Sequence, residues 1–176
     1  MSQSINLYKQ LANHKLFNKS VNFGLKRIKL ALDLLGNPEK KLKNVISVVG
    51  ESGKFTTLFS LKSFIEANNQ KITAHISPSL RDIRERFYMG EKYLSHKQIK
   101  KTIKQIEKLN IPLTVFECLT LVYIINASKL NVDYNIQETG ALWRLDSNNI
   151  HNFPKLQICT NINKQHLNFL KKKNFG

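Results

Sequence analysis

The stretch Val45-Ile46-Ser47-Val48-Val49-Gly50-Glu51-Ser52-Gly53-Lys54-Phe55-Thr56-Thr57 constrains the fold of this chain more than any other. A β-branched apolar run passes into two glycines and a lysine, then into threonines that open a helical pattern. That order predicts strand, tight turn, helix. Glycines let backbone N–H groups converge on an anion, the lysine supplies a point charge, and the helix N-terminus adds its partial positive charge. A hydroxyl just after the lysine is placed to hold Mg²⁺ beside phosphates. The spacing Gly-x-x-Gly-Lys-x-Thr is shorter than that of the commonest nucleotide loop, whose first glycine would fall at Val48. By itself the stretch fits a phosphate loop and a plain βα turn equally.

At 176 residues the chain has room for one well-cored domain and too little for two. No apolar run is long enough to cross a bilayer, so no membrane association is expected. Met1 to Lys15 lack a continuous apolar core and a small-residue cleavage site, so a secretory signal is not expected either. Cys118 and Cys159 lie in apolar segments without metal or redox spacing and read as buried, reduced thiols of a cytoplasmic protein. The formal net charge of +16 raises a nucleic-acid partner. Lysine greatly outnumbers arginine, however, and asparagine and isoleucine are abundant, a bias that A/T-rich coding DNA produces unaided. The lysines cluster only at Lys40-Lys41-Lys43, Lys97-Lys100-Lys101-Lys104 and Lys171-Lys172-Lys173. The expectation is a solvated basic surface and no nucleic-acid partner.

Residues 1–22 show no strong period and read as an arm; residues 23–176 read as one partial domain. Leu25, Ile28, Ala31, Leu32 and Leu35 keep helical spacing until Gly36-Asn37-Pro38 stops the helix. After the loop, Leu58, Leu61, Phe64 and Ile65 predict an amphipathic helix. Lys71–Ile76 is the next strand, Ser95 caps a basic helix, and Thr114 caps a strongly apolar one reaching Ala127. Tyr134–Thr139 and Leu156–Ile162 complete four strands. The alternation predicts an α/β fold, a parallel sheet with flanking helices, whose ligands sit at the carboxyl ends of the strands.

Each predicted strand ends in polar residues: Gly50 to Thr56, Ser77 to Leu80, Glu138, and His166. A hydroxyl, a carboxylate and an imidazole at one sheet edge fit a metal beside a triphosphate, though the donor set alone does not name the metal. Singly, Glu138 reads as a solvated strand-end carboxylate and His166 as a surface or capping histidine. Glu117 reads as a favourable first-turn charge, and Glu85 with Arg86 as a surface pair. Trp143 fits either hydrophobic cover or a stacking wall.

Taken in order, several motifs carry more. Phe23-Gly24-Leu25-x-Arg27-Ile28, Leu35-Gly36-Asn37-Pro38, Gly50-x-x-Gly53-Lys54-x-Thr56, Ser77-Pro78-x-Leu80 and Glu85-Arg86 are followed by Phe116-Glu117-x-x-Thr120. Glu138-x-Gly140-x-x-x-Arg144-Leu145-Asp146-x-x-Asn149 and Thr160-Asn161-Ile162-x-x-x-His166 close the series. The set resembles the N-terminal, ATP-binding part of folylpolyglutamate synthase/dihydrofolate synthase, of the Mur ligase superfamily, from about Phe23 to Leu170. The resemblance implies a P-loop-containing, Mur-ligase-like central domain, incomplete at its C-terminus, and an ATP-dependent amide ligase. Folate or dihydropteroate and L-glutamate would be the substrates, ATP and Mg²⁺ the cofactors, and the full-length protein a monomer. Gly50, Ser52, Gly53, Lys54, Phe55, Thr56 and Thr57 would bind ATP; Thr56, Glu138 and His166 would hold Mg²⁺. Lys54, Glu138 and His166 would be catalytic. Ser77, Pro78, Ser79, Leu80, Thr114, Val115, Phe116, Glu117 and Leu145 would border the folate.

The chain departs from the family pattern at Glu51, Ser52 and Phe55 in the loop, at Ala141-Leu142-Trp143 after Glu138, and at Gln165 before the histidine. The family's later metal-site lysine and its glutamate-binding domain have no counterpart before Gly176. The chain alone is therefore expected not to turn over, and its sheet to expose an apolar edge.

Overall fold

The structure, a computed structural model, describes residues 24–140 and 143–162, together with 11, 13, 14, 17 and 18. Its framework is a five-stranded sheet in the order β4-β3-β6-β2-β7. Strands β2 (Val45–Val49), β3 (Ile72–His75), β6 (Tyr134–Glu138) and β7 (Leu156–Cys159) run parallel. Strand β4 (Phe87–Met89) pairs antiparallel with β3 on one edge. The sequence did not disclose β4, which is three residues long and follows directly on the charged Arg84-Glu85-Arg86. Strand β7 is shorter than the expected 156–162 and lies on the opposite edge. It is largely exposed, Cys159 included, which corrects the expectation of two buried thiols. Before these elements, Phe17–Asn18 (β1) pairs in parallel with Leu113–Thr114 (β5), and Leu11 and Phe17 are buried.

Helix α1 (Lys26–Leu34) buries Ile28, Ala31 and Leu32. It stops where Gly36 and Asn37 turn left-handed, Asn37 N–H donating to Leu32 O at 2.8 Å, and Pro38 forbids continuation. Helix α2 (Lys54–Ala67) packs Leu58 and Ile65 on the sheet face formed by Ile46, Val48, Ile72, Ala74 and Ile136. Phe64, expected on that apolar face, is instead 70% exposed. At about 3.6 residues per turn it falls about 120° round the helix from Leu58, beyond the half-buried Leu61 and off the face toward the strands. Helix α3 (His96–Glu107) begins in a capping box of Ser95 and Gln98 and buries Ile99, Thr102, Ile103 and Ile106.

Helix α4 (Val115–Ala127) is buried almost all round and covers the other face of the sheet. It too starts from a capping box, Thr114 Oγ1 accepting from Glu117 N–H while Glu117 Oε2 accepts from Thr114 N–H at 2.7 Å. Thr114→Ala removes one half of that exchange and is expected to cost about 1 kcal/mol, read from the urea midpoint of unfolding.

The sheet face beneath α4 is polar. Thr73 Oγ1 lies 2.8 Å from Tyr123 Oη and 2.7 Å from Asn135 Oδ1, and Asn135 Nδ2 donates to Lys43 O. His75, fully buried, is stacked by the rings of Phe87, Phe116 and Tyr123, with its Nδ1 at 3.3 Å from Asn148 Oδ1. Ser47, Gln137 and His75 are in register across β2, β6 and β3. Ser47 Oγ, Gln137 Oε1 and His75 Nε2 are buried without a protein hydrogen-bond partner.

Candidate functional site

Four parallel strands deliver their carboxyl ends to one edge, and the glycine loop leaves the sheet there. Gly50 (φ 128°) and Gly53 (φ 81°) both adopt conformations that side-chain-bearing residues avoid. Gly50 also has no room for a side chain, since a Cβ would collide with Thr160 Oγ1 and approach Asn161 O to 2.9 Å. Gly53 directly precedes α2, whose first backbone bond is Thr57 N–H to Gly53 O at 2.9 Å. The amides before it are the orphan donors of any helix start and are concentrated beside the loop. Lys54 folds back over the turn, Nζ donating to Gly50 O at 2.8 Å and to Glu51 O at 3.2 Å. Ser52, Phe55 and Thr56 are exposed and Thr57 is half-buried. Phe55, where the resembled family has glycine, packs tilted against Phe59 with ring centroids 4.4 Å apart and leaves the helix start unbroken.

Glu138 ends β6, opposite Val48 of β2. It is buried, and Oε2 accepts from Ser77 N–H at 2.9 Å. Burial raises its carboxyl pKa, opposed by the Ser77 amide and by the charges of Lys54 and Arg86. A strand-end carboxylate read singly as solvated is thus inside the protein. Arg86, expected as a surface partner of Glu85, is buried as well, Nη1 donating to Ser77 Oγ at 3.2 Å. Glu85 instead accepts from the Leu80 and Arg81 amides at 2.7 and 3.1 Å and so anchors the loop after Pro78. Ser79 is half-buried, and Leu80 projects into solvent at 82% exposure.

Beyond Glu138, Asp146 Oδ2 accepts from Gly140 N–H and Oδ1 from Asn148 N–H, both at 2.9 Å. Asn148 Nδ2 in turn donates to Glu138 O at 2.8 Å, so the turn after β6 is held from below. Phe116 lies against Gly140, and Leu145 is half-buried in the short turn Trp143–Leu145. Val115 and Glu117 are buried. Glu117, already spent on the helix cap, also pairs with Arg27 at 3.0 Å. Ala141, Leu142, Gln165 and His166 lie outside the described residues, so the expected imidazole ligand is not placed. Arg86, Asp146, Asn148 and Asn161 were missed as parts of this edge. All but Asn148 stand in the ordered motifs, but spacing carries no information on where their side chains turn.

Thr56 and Glu138 offer a hydroxyl and a carboxylate, hard oxygen donors that suit Mg²⁺. Among the described residues no three His, Cys, Asp or Glu side chains cluster as a metal site. The raised pKa of Glu138 is the mark of a buried carboxylate that a cation would stabilise in its charged form. A cavity of about 390 Å³, lined among others by Asn44, Val45, His151 and Lys155, lies at the opposite, amino-terminal edge of the strands.

A glycine–lysine loop between a parallel strand and a helix, with a buried carboxylate on the neighbouring strand end, defines an α/β domain of the phosphate-loop class. No protein-family model matches the chain. It is 32% identical over 156 residues to the dihydrofolate synthase/folylpolyglutamate synthase of Buchnera aphidicola, covering 88% of this chain and 37% of that protein. Escherichia coli FolC in complex with DHPP and ADP superposes with a TM-score of 0.86 at 30% identity, over 96% of this chain and 40% of that one. A bifunctional folylpolyglutamate synthase/dihydrofolate synthase with Mn, AMPPNP and L-glutamate bound gives 0.74 at 28%, over 85% and 36%. The chain is a homologue of folylpolyglutamate synthase/dihydrofolate synthase and spans well under half the length of these relatives.

Proposed function

We propose that this chain carries the ATP-binding part of a folate–glutamate ligase of the Mur type. In that reaction a folate or dihydropteroate carboxylate attacks the γ-phosphate of ATP, releasing ADP and forming an acyl phosphate. The amine of L-glutamate then displaces phosphate to give the amide. Phosphoryl transfer asks mainly for positioning and charge neutralisation. Lys54 supplies charge at the loop, and the amides of Gly53, Lys54, Phe55 and Thr56 supply donors, with Gly50 and Ser52 shaping the turn and Thr57 starting the helix ladder. Thr56, Glu138 and His166 would hold Mg²⁺, which contributes charge neutralisation at the β- and γ-phosphates when bound. Ser77 to Leu80, Thr114 to Glu117 and Leu145 border the space assigned to the folate, with Arg86 fixing Ser77 and Arg27 fixing Glu117.

The observation that carries this reading is the convergence of the Gly50–Thr56 loop and the buried Glu138 at one sheet edge. Support comes from the relatives described with DHPP and ADP, and with Mn, AMPPNP and L-glutamate. A second reading, a binding protein without turnover, is favoured by Glu51, a carboxylate within the loop meant for phosphate. No helix among the described residues is long and apolar enough to cross a membrane; a cytoplasmic monomer, once full length, is part of the proposal. Calorimetric titration of the chain with MgATP is expected to show saturable binding displaced by MgADP. Absence of binding would reject the ligase reading.

A further inference from the structure

The end of β7 engages the glycine loop through side chains. Asn161 Oδ1 accepts from Ser52 N–H at 2.8 Å and from Glu51 N–H at 3.2 Å, and Asn161 O also accepts from Glu51 N–H at 3.2 Å. Thr160 Oγ1 donates to Ser52 O at 2.7 Å, with Val49 O at 3.3 Å, and Thr160 N–H donates to Val49 O at 2.9 Å. The approach is so close that Gly50 alone admits it, as its missing Cβ shows. One carboxamide oxygen therefore takes both amides in the first half of the loop. The amides from Gly53 to Thr56, at the helix start, are left to face outward.

We infer that Thr160 and Asn161 form a clasp that sets the shape of the loop, dividing its amides into a held pair and an open group. They are positioning residues, since neither needs to touch the nucleotide. Without the clasp, four residues with two left-handed glycines have many shapes available, and ordering them would fall to the nucleotide. The clasp itself rests on the hydrogen bonds above; its consequence for ATP rests on the function proposed for this loop. Asn161 suits the position because its oxygen accepts two amides without adding a negative charge beside phosphates.

The test combines backbone amide hydrogen exchange with MgATP titration on the 176-residue chain. In Asn161→Ala, exchange at Ser52 is expected to rise at least tenfold, and at Glu51, which keeps the Asn161 backbone carbonyl, by less, while β2 and α4 stay protected, with MgATP affinity falling about tenfold. Asn161→Asp is expected to keep the protection yet weaken MgATP binding by charge. Thr160→Val is expected to weaken binding about threefold, and Thr160→Ser to restore it. Unchanged exchange at Ser52 in Asn161→Ala overturns the clasp. Released amides with unchanged MgATP affinity overturn its positioning role. Protected amides in a wild-type chain that does not bind MgATP uphold the clasp and remove the nucleotide reading instead. Should Asn161→Ala lose protection in β2 as well, Asn161→Leu, which keeps the bulk and removes the accepting oxygen, carries the same two readouts.

Discussion

Lys54→Ala is expected to weaken MgATP binding at least 100-fold while leaving the fold intact. The Lys54 ammonium is held by two carbonyls of its own loop, those of Gly50 and Glu51. A phosphate oxygen arriving there would exchange neutral acceptors for a charged one, adding the attraction of opposite charges to bonds that the ammonium already makes charge-assisted. At an effective dielectric of 20, opposite charges about 4 Å apart attract by about 4 kcal/mol. A 100-fold loss, about 2.7 kcal/mol, asks for only part of that. The cost to the fold is confined to two part-buried hydrogen bonds within the loop, from a half-buried side chain with no place in the core. Lys54→Arg retains the charge but carries it on a larger planar group, and is expected to bind MgATP with intermediate affinity. Calorimetry at fixed ionic strength, with thermal unfolding of each variant, separates the two effects. Wild-type affinity in Lys54→Ala would show that the loop does not bind phosphate through this lysine.

The parts legible in the sequence were those written in local periodicity. The run Val45–Val49 is apolar and β-branched, and α4 is too apolar for a surface helix; both were placed within a residue or two. The glycine loop was legible because positive φ and close approach leave few residue choices at positions 50 and 53. What stayed hidden depends on which way a side chain turns. Arg86 follows a glutamate and looks like half of a surface pair, but the short turn Ile83–Arg86 that leads into β4 brings it to Ser77. Asn161 and Asp146 have no periodicity of their own, and their value lies in amides that are 110 and six residues away. Glu138 illustrates both sides: its place at a strand end was predicted, while its burial required β3 and Ser77 to be positioned across the sheet.

Acid is expected to destabilise this protein from about pH 6.5 downward, before its carboxylates titrate, through the buried His75 and the half-buried His151. His75 is enclosed by Phe87, Phe116 and Tyr123, and burial, with the Arg86 charge nearby and only partly offset by Asn148, lowers its pKa to about 3. His151 accepts from Gln137 Nε2 at 2.8 Å, and burial lowers its pKa to about 4. Both are neutral in the folded state at pH 5 and protonated in the unfolded chain, whose histidines titrate near 6.5. The unfolded state thus binds more protons, so stability is complete above pH 6.5 and falls as pH drops toward 3 to 4. From pH 7.5 to 4.5 the loss is on the order of 5 kcal/mol, about half from each histidine, a large share of the 5–15 kcal/mol typical of a domain. Glu138, with its raised pKa, acts in the opposite direction, and acid relieves its burial. His75→Phe keeps an aromatic ring in the stack and removes the buried, unpartnered Nε2 at the expense of the 3.3 Å contact with Asn148. Its stability at pH 7.5 is expected to lie within about 1 kcal/mol of wild type, while the loss on going to pH 4.5 shrinks by about half. Urea midpoints at the two pH values measure both. An equal loss in wild type and His75→Phe would show that the buried imidazole of His75 is not what acid attacks.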